Sequence, residues 1–233
     1  MLSIIIPCLN ESEGIVDALT ALAPLRTRGV EIVVVDGGSE DATVARAQPH
    51  ADQVITATRG RALQMNAGAA QARGDILLFL HADCRLPIAA DALITHGLNR
   101  AQRTWGRFDV ALNGSHALLR VVGAMMNLRS RITGVSTGDQ GLFVTRSLFE
   151  AAGRFPPIPL MEDVALTRQL RRYGAPLNLR HRMMVSSRRW GKHGVLRTVL
   201  LMWWLRLQYG LGADPGKLAL AYIPHVTDVP HQL

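Results

Sequence analysis

Up to residue 100, short apolar runs alternate with stretches of helical periodicity. Ser3 to Pro7, Glu31 to Val35, Gln53 to Ala57 and Asp75 to Leu80 read as strands. The second and fourth lack polar alternation, the pattern of strands covered on both faces. Between them, Asn10 to Leu25, Asp41 to Ala47, Arg61 to Ala72 and Ala89 to Asn99 read as helices. Leu19, Leu22 and Leu25 share one side of the first, with Asn10 or Ser12 as its cap. Strand–helix alternation predicts an α/β fold: a Rossmann-like, mostly parallel sheet with helices on both faces. Ligands of such sheets bind beyond the carboxyl ends of the strands. The pattern puts Pro7 to Glu11, Asp36 to Ser39, Arg59 to Arg61 and His81 to Asp83 there.

Beyond residue 100 the alternation stops. Thr104 to Leu112, Gly138 to Val144 and Leu177 to Ser187 read as extended. Ala117 to Leu128, Ser147 to Ala152, Glu162 to Tyr173, Val195 to Tyr209 and Pro215 to Tyr222 read as helices. No repeat or linker divides the 233 residues, so a single domain over 1–233 is expected.

Charge changes this picture. Residues 1–163 hold 15 Lys or Arg and 16 Asp or Glu, whereas residues 164–233 hold 11 and 2, giving net charges of −1 and +9. The C-terminal segment is therefore helical and basic, suited to phosphates, a phospholipid surface or nucleic acid, or else simply a solvated face. Its helix Val195 to Tyr209 carries Trp203 and Trp204 with Arg197 and Arg206. That mixture suits an anionic membrane surface, a homodimer contact or a buried helix. No run of about 18 apolar residues occurs, which predicts no transmembrane helix. The opening strand lacks a basic flank, and Cys8 and Cys84 read as free thiols, so a cytoplasmic location is expected, with peripheral membrane contact as its extension.

Several clusters could carry chemistry. Asp36, followed by Gly37 and Gly38, ends a buried strand, where it either accepts hydrogen bonds from a nucleotide or forms an Asx turn that caps the next helix. Asp83, after the strand ending at Leu80, could hold a hard cation and through it a diphosphate, with His81 as a further ligand. Arg59 and Arg61 precede a helix whose amino end favours anions. Glu162 and Asp163 begin a helix, where the dipole favours acids in any case; the functional reading is a general base. Arg188, Arg189 and Trp190, near Lys192 and His193, suit phosphate or a sugar face, or form a basic surface loop.

In combination these clusters resemble family 2 glycosyltransferases, the large inverting group of GT-A fold. The matching stretches are Ser3 to Glu11 (SIIIPCLNE), Val34 to Ser39 (VVDGGS), Asn66 to Gly68 (NAG), Gly74-Asp75 with the strand ending in His81 to Asp83 (HAD), Gly141 to Phe149, and Met161 to Asp163 (MED). More narrowly, the chain looks like a bacterial subgroup with His-Ala-Asp in place of the usual Asp-x-Asp. The resemblance implies a nucleotide-sugar-binding half (1–100), an acceptor and catalytic half (101–175) and a C-terminal extension (176–233). It implies a nucleotide-sugar donor lined by Pro7, Asn10, Glu11, Asp36, Gly38, Arg59, Arg61, Asn66 and Asp83. It also implies a divalent metal, Mn or Mg, at Asp83, with His81, His181 or His193 completing the shell. Asp163, with Glu162 beside it, matches the catalytic base. Asp139, Gln140, Arg188, Arg189 and Trp190 are assigned to acceptor or phosphate. The expected activity is inverting transfer of a sugar to an unidentified, lipid-linked acceptor, with no nucleic acid as partner. A nucleotidyltransferase is disfavoured, because Cys8 to Glu11 is not a Gly-rich loop with Lys or Arg. A non-catalytic nucleic-acid or membrane binder leaves the ordered acidic clusters unexplained.

Overall fold

The computed structural model describes residues 1–114, 117–186 and 195–222. Its eight strands are β1 (Leu2–Cys8), β2 (Glu31–Asp36), β3 (Gln53–Thr56), β4 (Ile76–Phe79), β5 (Cys84–Arg85), β6 (Trp105–Leu112), β7 (Leu142–Thr145) and β8 (Leu177–Val185). They form one sheet in the order β3-β2-β1-β4-β7-β6-β8-β5. β3, β2, β1 and β4 are parallel; β7 joins antiparallel to both β4 and β6. The expected parallel half is thus present, and the failure of alternation past residue 100 marks the switch to a mixed half.

Every residue of β1 and β2 is buried, as their continuous apolar runs require. Ile4, Ile6 and Val34 pack on one face of the sheet, Ile5, Val33 and Val35 on the other, each within its own core cluster. Helix α4 (Arg61–Gln71) lies so close to the second face that a Cβ on Gly68 would sit 2.5 Å from Ile5 and 2.7 Å from Val35. Glycine there sets the helix–sheet distance.

Three boundaries differ from the sequence reading. The single helix over Asn10 to Leu25 is instead α1 (Ile15–Thr20) and α2 (Ala23–Arg26), with Pro24 at the start of the second. Proline lacks the amide that would continue a helix but suits its first turn. The extended stretch from Gly138 begins as a 3-10 turn, Gly138–Gln140, closed by reciprocal bonds between Thr137 and Gln140. Helix α6 (Ala117–Thr133) runs past Leu128, and its polar side is fixed to β6: Asn127 bonds both backbone groups of Val110, and Arg131 pairs with Asp109. The remaining helices are α3 (Thr43–Ala47), α5 (Ala90–Ala101), α7 (Arg146–Ala151), α8 (Glu162–Leu170), α9 (Val195–Gly210) and α10 (Pro215–Tyr222). A third cluster, Met161, Val164, Leu205 and Leu218, packs α9 and α10 against the start of α8.

Candidate active site

Two adjoining cavities open at the carboxyl ends of the parallel strands. The smaller, about 260 Å³, is lined by Pro7 and Cys8 at the end of β1 and Glu11 beyond it, by Arg59 to Gln64 entering α4, by His81 to Asp83 after β4, and by Pro157 to Pro159. The larger, about 590 Å³, lies between α6 and α9 and holds Asp139, Glu162 and Asp163. Arg61, His81 and Asp83 line both. Asp83 and Asp163, 80 positions apart in sequence, therefore face the same space.

The expected donor set divides. Pro7, Glu11, Arg59, Arg61 and Asp83 line the smaller cavity; Asn10, Asp36, Gly38 and Asn66 do not. Asp36 is buried, and its carboxylate accepts from the Gly38 amide (2.9 Å), the Ser39 amide (2.8 Å) and the Ser39 hydroxyl. This is the Asx turn of the alternative reading. Asn10, at φ 51°, accepts from the Glu40 amide and completes that turn. Asn66 exchanges two bonds with the backbone of Phe155, at 2.8 and 3.1 Å. It anchors the segment that carries Pro157 to Pro159 over the cavity, and Phe155 stacks edge-on against Phe79 at 4.8 Å. Gln140 is wholly buried and bonds Ser130 and Thr137, a structural role rather than acceptor contact. His181 is exposed on β8 and lines neither cavity. Arg188, Arg189, Trp190 and His193 lie outside the described residues.

Gln64 was not legible as a site residue, because a glutamine within a helix reads as surface. It is buried and donates to the carbonyls of Cys8 and Val35, at 2.8 and 2.9 Å. It thereby ties the start of α4 to the ends of β1 and β2.

Glycine 138 lies between His81 and Asp163. A Cβ there would lie 2.5 Å from Nε2 of His81, so the imidazole packs directly on its backbone. Its amide donates to Oδ2 of Asp163 at 2.6 Å. The chain entering α8 reverses at Met161, in the left-handed region at φ 70°, which turns Glu162 and Asp163 into the cavity. Burial, reinforced by the charge of Glu162, pushes the Asp163 carboxyl up to about 6. Asp139 is also raised, by burial first and by the neighbouring charge of Asp163. Burial opposes the charge of Arg61, but Glu162, Tyr222, Asp163 and Asp83 outweigh it and hold the guanidinium above its ordinary value. Its Nη1 stands 3.9 Å from Glu162. The Cys8 thiol is pushed up by burial and by Asp36, which removes it as a nucleophile.

A parallel half that holds charged groups at its strand ends, continued by a mixed half that supplies a buried carboxylate, is the GT-A architecture of glycosyltransferases. The mannosyltransferase PcManGT from Pyrobaculum calidifontis, solved with GDP-Man and Mn2+, superposes with a TM-score of 0.66 over 98% of this chain and 73% of that one, at 19% identity. S. aureus TarS 1-349 with UDP-GlcNAc gives 0.65 over 80% and 58%, also at 19% identity. Residues 3–103 match the model of glycosyl transferase family 2. The undecaprenyl-phosphate 4-deoxy-4-formamido-L-arabinose transferase of Yersinia pestis is 31% identical over 152 residues, 60% of this chain. The chain spans 46% of that relative's length.

Proposed function

We propose that this protein is an inverting glycosyltransferase that moves a sugar from a nucleoside-diphosphate donor in the smaller cavity to an acceptor in the larger. The observation that carries this reading is the shared wall: Arg61, His81 and Asp83 face both spaces, and Asp163 lies just across Gly138 from His81. Asp163 takes the proton of the acceptor oxygen as that oxygen attacks the anomeric carbon from the face opposite the leaving diphosphate. A carboxyl raised to about 6 is ionised at neutral pH yet basic enough to accept that proton. Arg59 and Arg61 stabilise the leaving diphosphate as its charge develops.

The residues fit a divalent cation at Asp83. The larger cavity that Asp83 lines also holds Oδ1 of Asp139, a buried oxygen without a hydrogen-bond partner among the described residues. Oxygen donors of this kind suit Mn²⁺ or Mg²⁺. Among the described residues no three His, Cys, Asp or Glu side chains form a ready-made cluster, so the diphosphate oxygens would complete the shell around Asp83, with His81 adjacent. When bound, such an ion neutralises the diphosphate. The name of the curated relative supports a lipid-linked acceptor, as does the apolar wall of the larger cavity. No helix among the described residues is long and apolar enough to cross a membrane, so contact with a cytoplasmic anionic surface would run through α9 and its exposed Trp203 and Trp204.

A thermal-shift screen with UDP, GDP and their sugars tests this. Stabilisation that needs Mn²⁺ and is lost in Asp83→Ala is expected. Stabilisation by no nucleotide, or undiminished stabilisation of Asp83→Ala, refutes it.

A further inference from the structure

The larger cavity is lined by charged groups with polar atoms that lack hydrogen-bond partners among the described residues. Nε and Nη2 of Arg129, near the end of α6, are buried and have no hydrogen-bond partner among the described residues; the same holds for Nη2 of Arg206 on α9. Neither guanidinium forms an ion pair among the described residues, although Asp139 lines the same cavity and its Oδ1 is also unpartnered. Burial lowers Arg129 from its ordinary value, opposed by Asp139 and Asp163. A buried guanidinium without an anion is costly, and a structural arginine would close on the nearest carboxylate. Arg129 feels the charge of Asp139 and Asp163 but bonds neither among the described residues, and Arg206 approaches the same cavity from the opposite wall.

The rest of those walls is apolar. Met125, Leu128 and Ile132 of α6 face Met202 and Trp203 of α9. Four of these remain open to solvent, Met125 at 42%, Leu128 at 59%, Ile132 at 75% and Trp203 at 53%, so the apolar lining continues onto the surface. One end of the cavity is thus ionic and adjoins Asp163, and the other is hydrocarbon-like and open. Its volume of about 590 Å³ is that of a small-molecule site.

We infer that Arg129 and Arg206 clamp the phosphate of an acceptor whose hydrocarbon chain lies between α6 and α9 and leaves through the apolar mouth. This rests on the glycosyl-transfer reading, because it names the acceptor class for that reaction. Arginine suits such a clamp because its guanidinium binds phosphate oxygens in paired fashion, and an anion arriving with a chain satisfies both halves of the cavity at once.

The test is equilibrium binding of dodecyl phosphate below its micelle concentration, followed by tryptophan fluorescence and calorimetry, beside dodecanol and inorganic phosphate. Dodecyl phosphate is expected to bind at least about tenfold more tightly than either. Arg129→Gln and Arg206→Gln are each expected to lose about tenfold of that affinity while leaving dodecanol binding unchanged, the scale of one charge-assisted contact. Dodecanol binding as tightly as the phosphate overturns the clamp; inorganic phosphate binding as tightly overturns the chain. These comparisons use the wild-type protein and decide the matter even where a variant fails to fold. UDP and GDP with Mn²⁺ are titrated into the same samples. A protein that binds dodecyl phosphate but no nucleotide loses the glycosyl-transfer reading and keeps the clamp; one that binds nucleotide but not dodecyl phosphate loses the clamp alone.

Discussion

The two cavities meet at Asp83, yet they are built in opposite ways. The smaller is walled by strand ends and by the start of α4, and its supports are bonded in place. Gln64 reaches two carbonyls, Asp36 closes its own turn, and Asn66 pins the Phe155 segment. The larger is walled by two helices, and Nε and Nη2 of Arg129, Nη2 of Arg206 and Oδ1 of Asp139 stand without partners among the described residues. The first space is preorganised for a ligand of fixed shape, which costs little to bind. The second keeps polar atoms that no described residue satisfies, and an anionic ligand would relieve them.

That contrast can be broken at several points. The largest effect is expected from Asp163→Asn: turnover should fall by about 10²–10⁴-fold while nucleotide binding stays within about twofold, checked by kcat beside calorimetry. A parallel loss of nucleotide affinity would show that the two cavities do not divide the work. Next is pH. With Asp163 at about 6, kcat/KM should fall about tenfold per unit below that value, as the base becomes protonated. The same raised value favours the folded state when Asp163 is protonated, so this group's contribution to stability is lost as pH rises through about 6. A pH–rate profile that stays flat from 7 down to 5 would remove Asp163 from the role of base.

Smaller effects sharpen the donor side. Gly68→Ala should cost about 1–3 kcal/mol in denaturant unfolding, because its methyl meets Ile5 and Val35. Unchanged stability would mean that α4 can lift without penalty. Asn66→Ala should cost about 1–2 kcal/mol and move nucleotide affinity only through the Pro157 to Pro159 segment. If affinity fell further than stability could explain, Asn66 would touch the nucleotide after all.

Much of the parallel half was legible because its signals are local. β1 and β2 are buried along their whole length, and such strands announce themselves as apolar runs. The meeting of Asp83 with Asp163 followed only from the ordered motifs, since nothing local to either predicts it. What escaped depends on partners distant in sequence. The carbonyl that fixes Asn66 is 89 positions away, and those that hold Gln64 are 56 and 29 away. Gln140 was assigned to the site by the resemblance alone, yet its turn folds it inward against Ser130. Arg206 was visible only as a basic residue on an apolar helix, and Arg129 fell just past the expected end of another. Their significance lies in which of their nitrogens go unbonded, and composition does not record that.

Glycine 138 has one last consequence. A side chain of any size would act as a cushion between the imidazole above and the carboxylate beyond; bare backbone transmits instead. A few tenths of an ångström at His81 therefore arrive at Asp163 through one stiff peptide plane, without slack to absorb them. On the glycosyl-transfer reading, the alignment of Asp163 is in this way geared to whatever the smaller cavity holds.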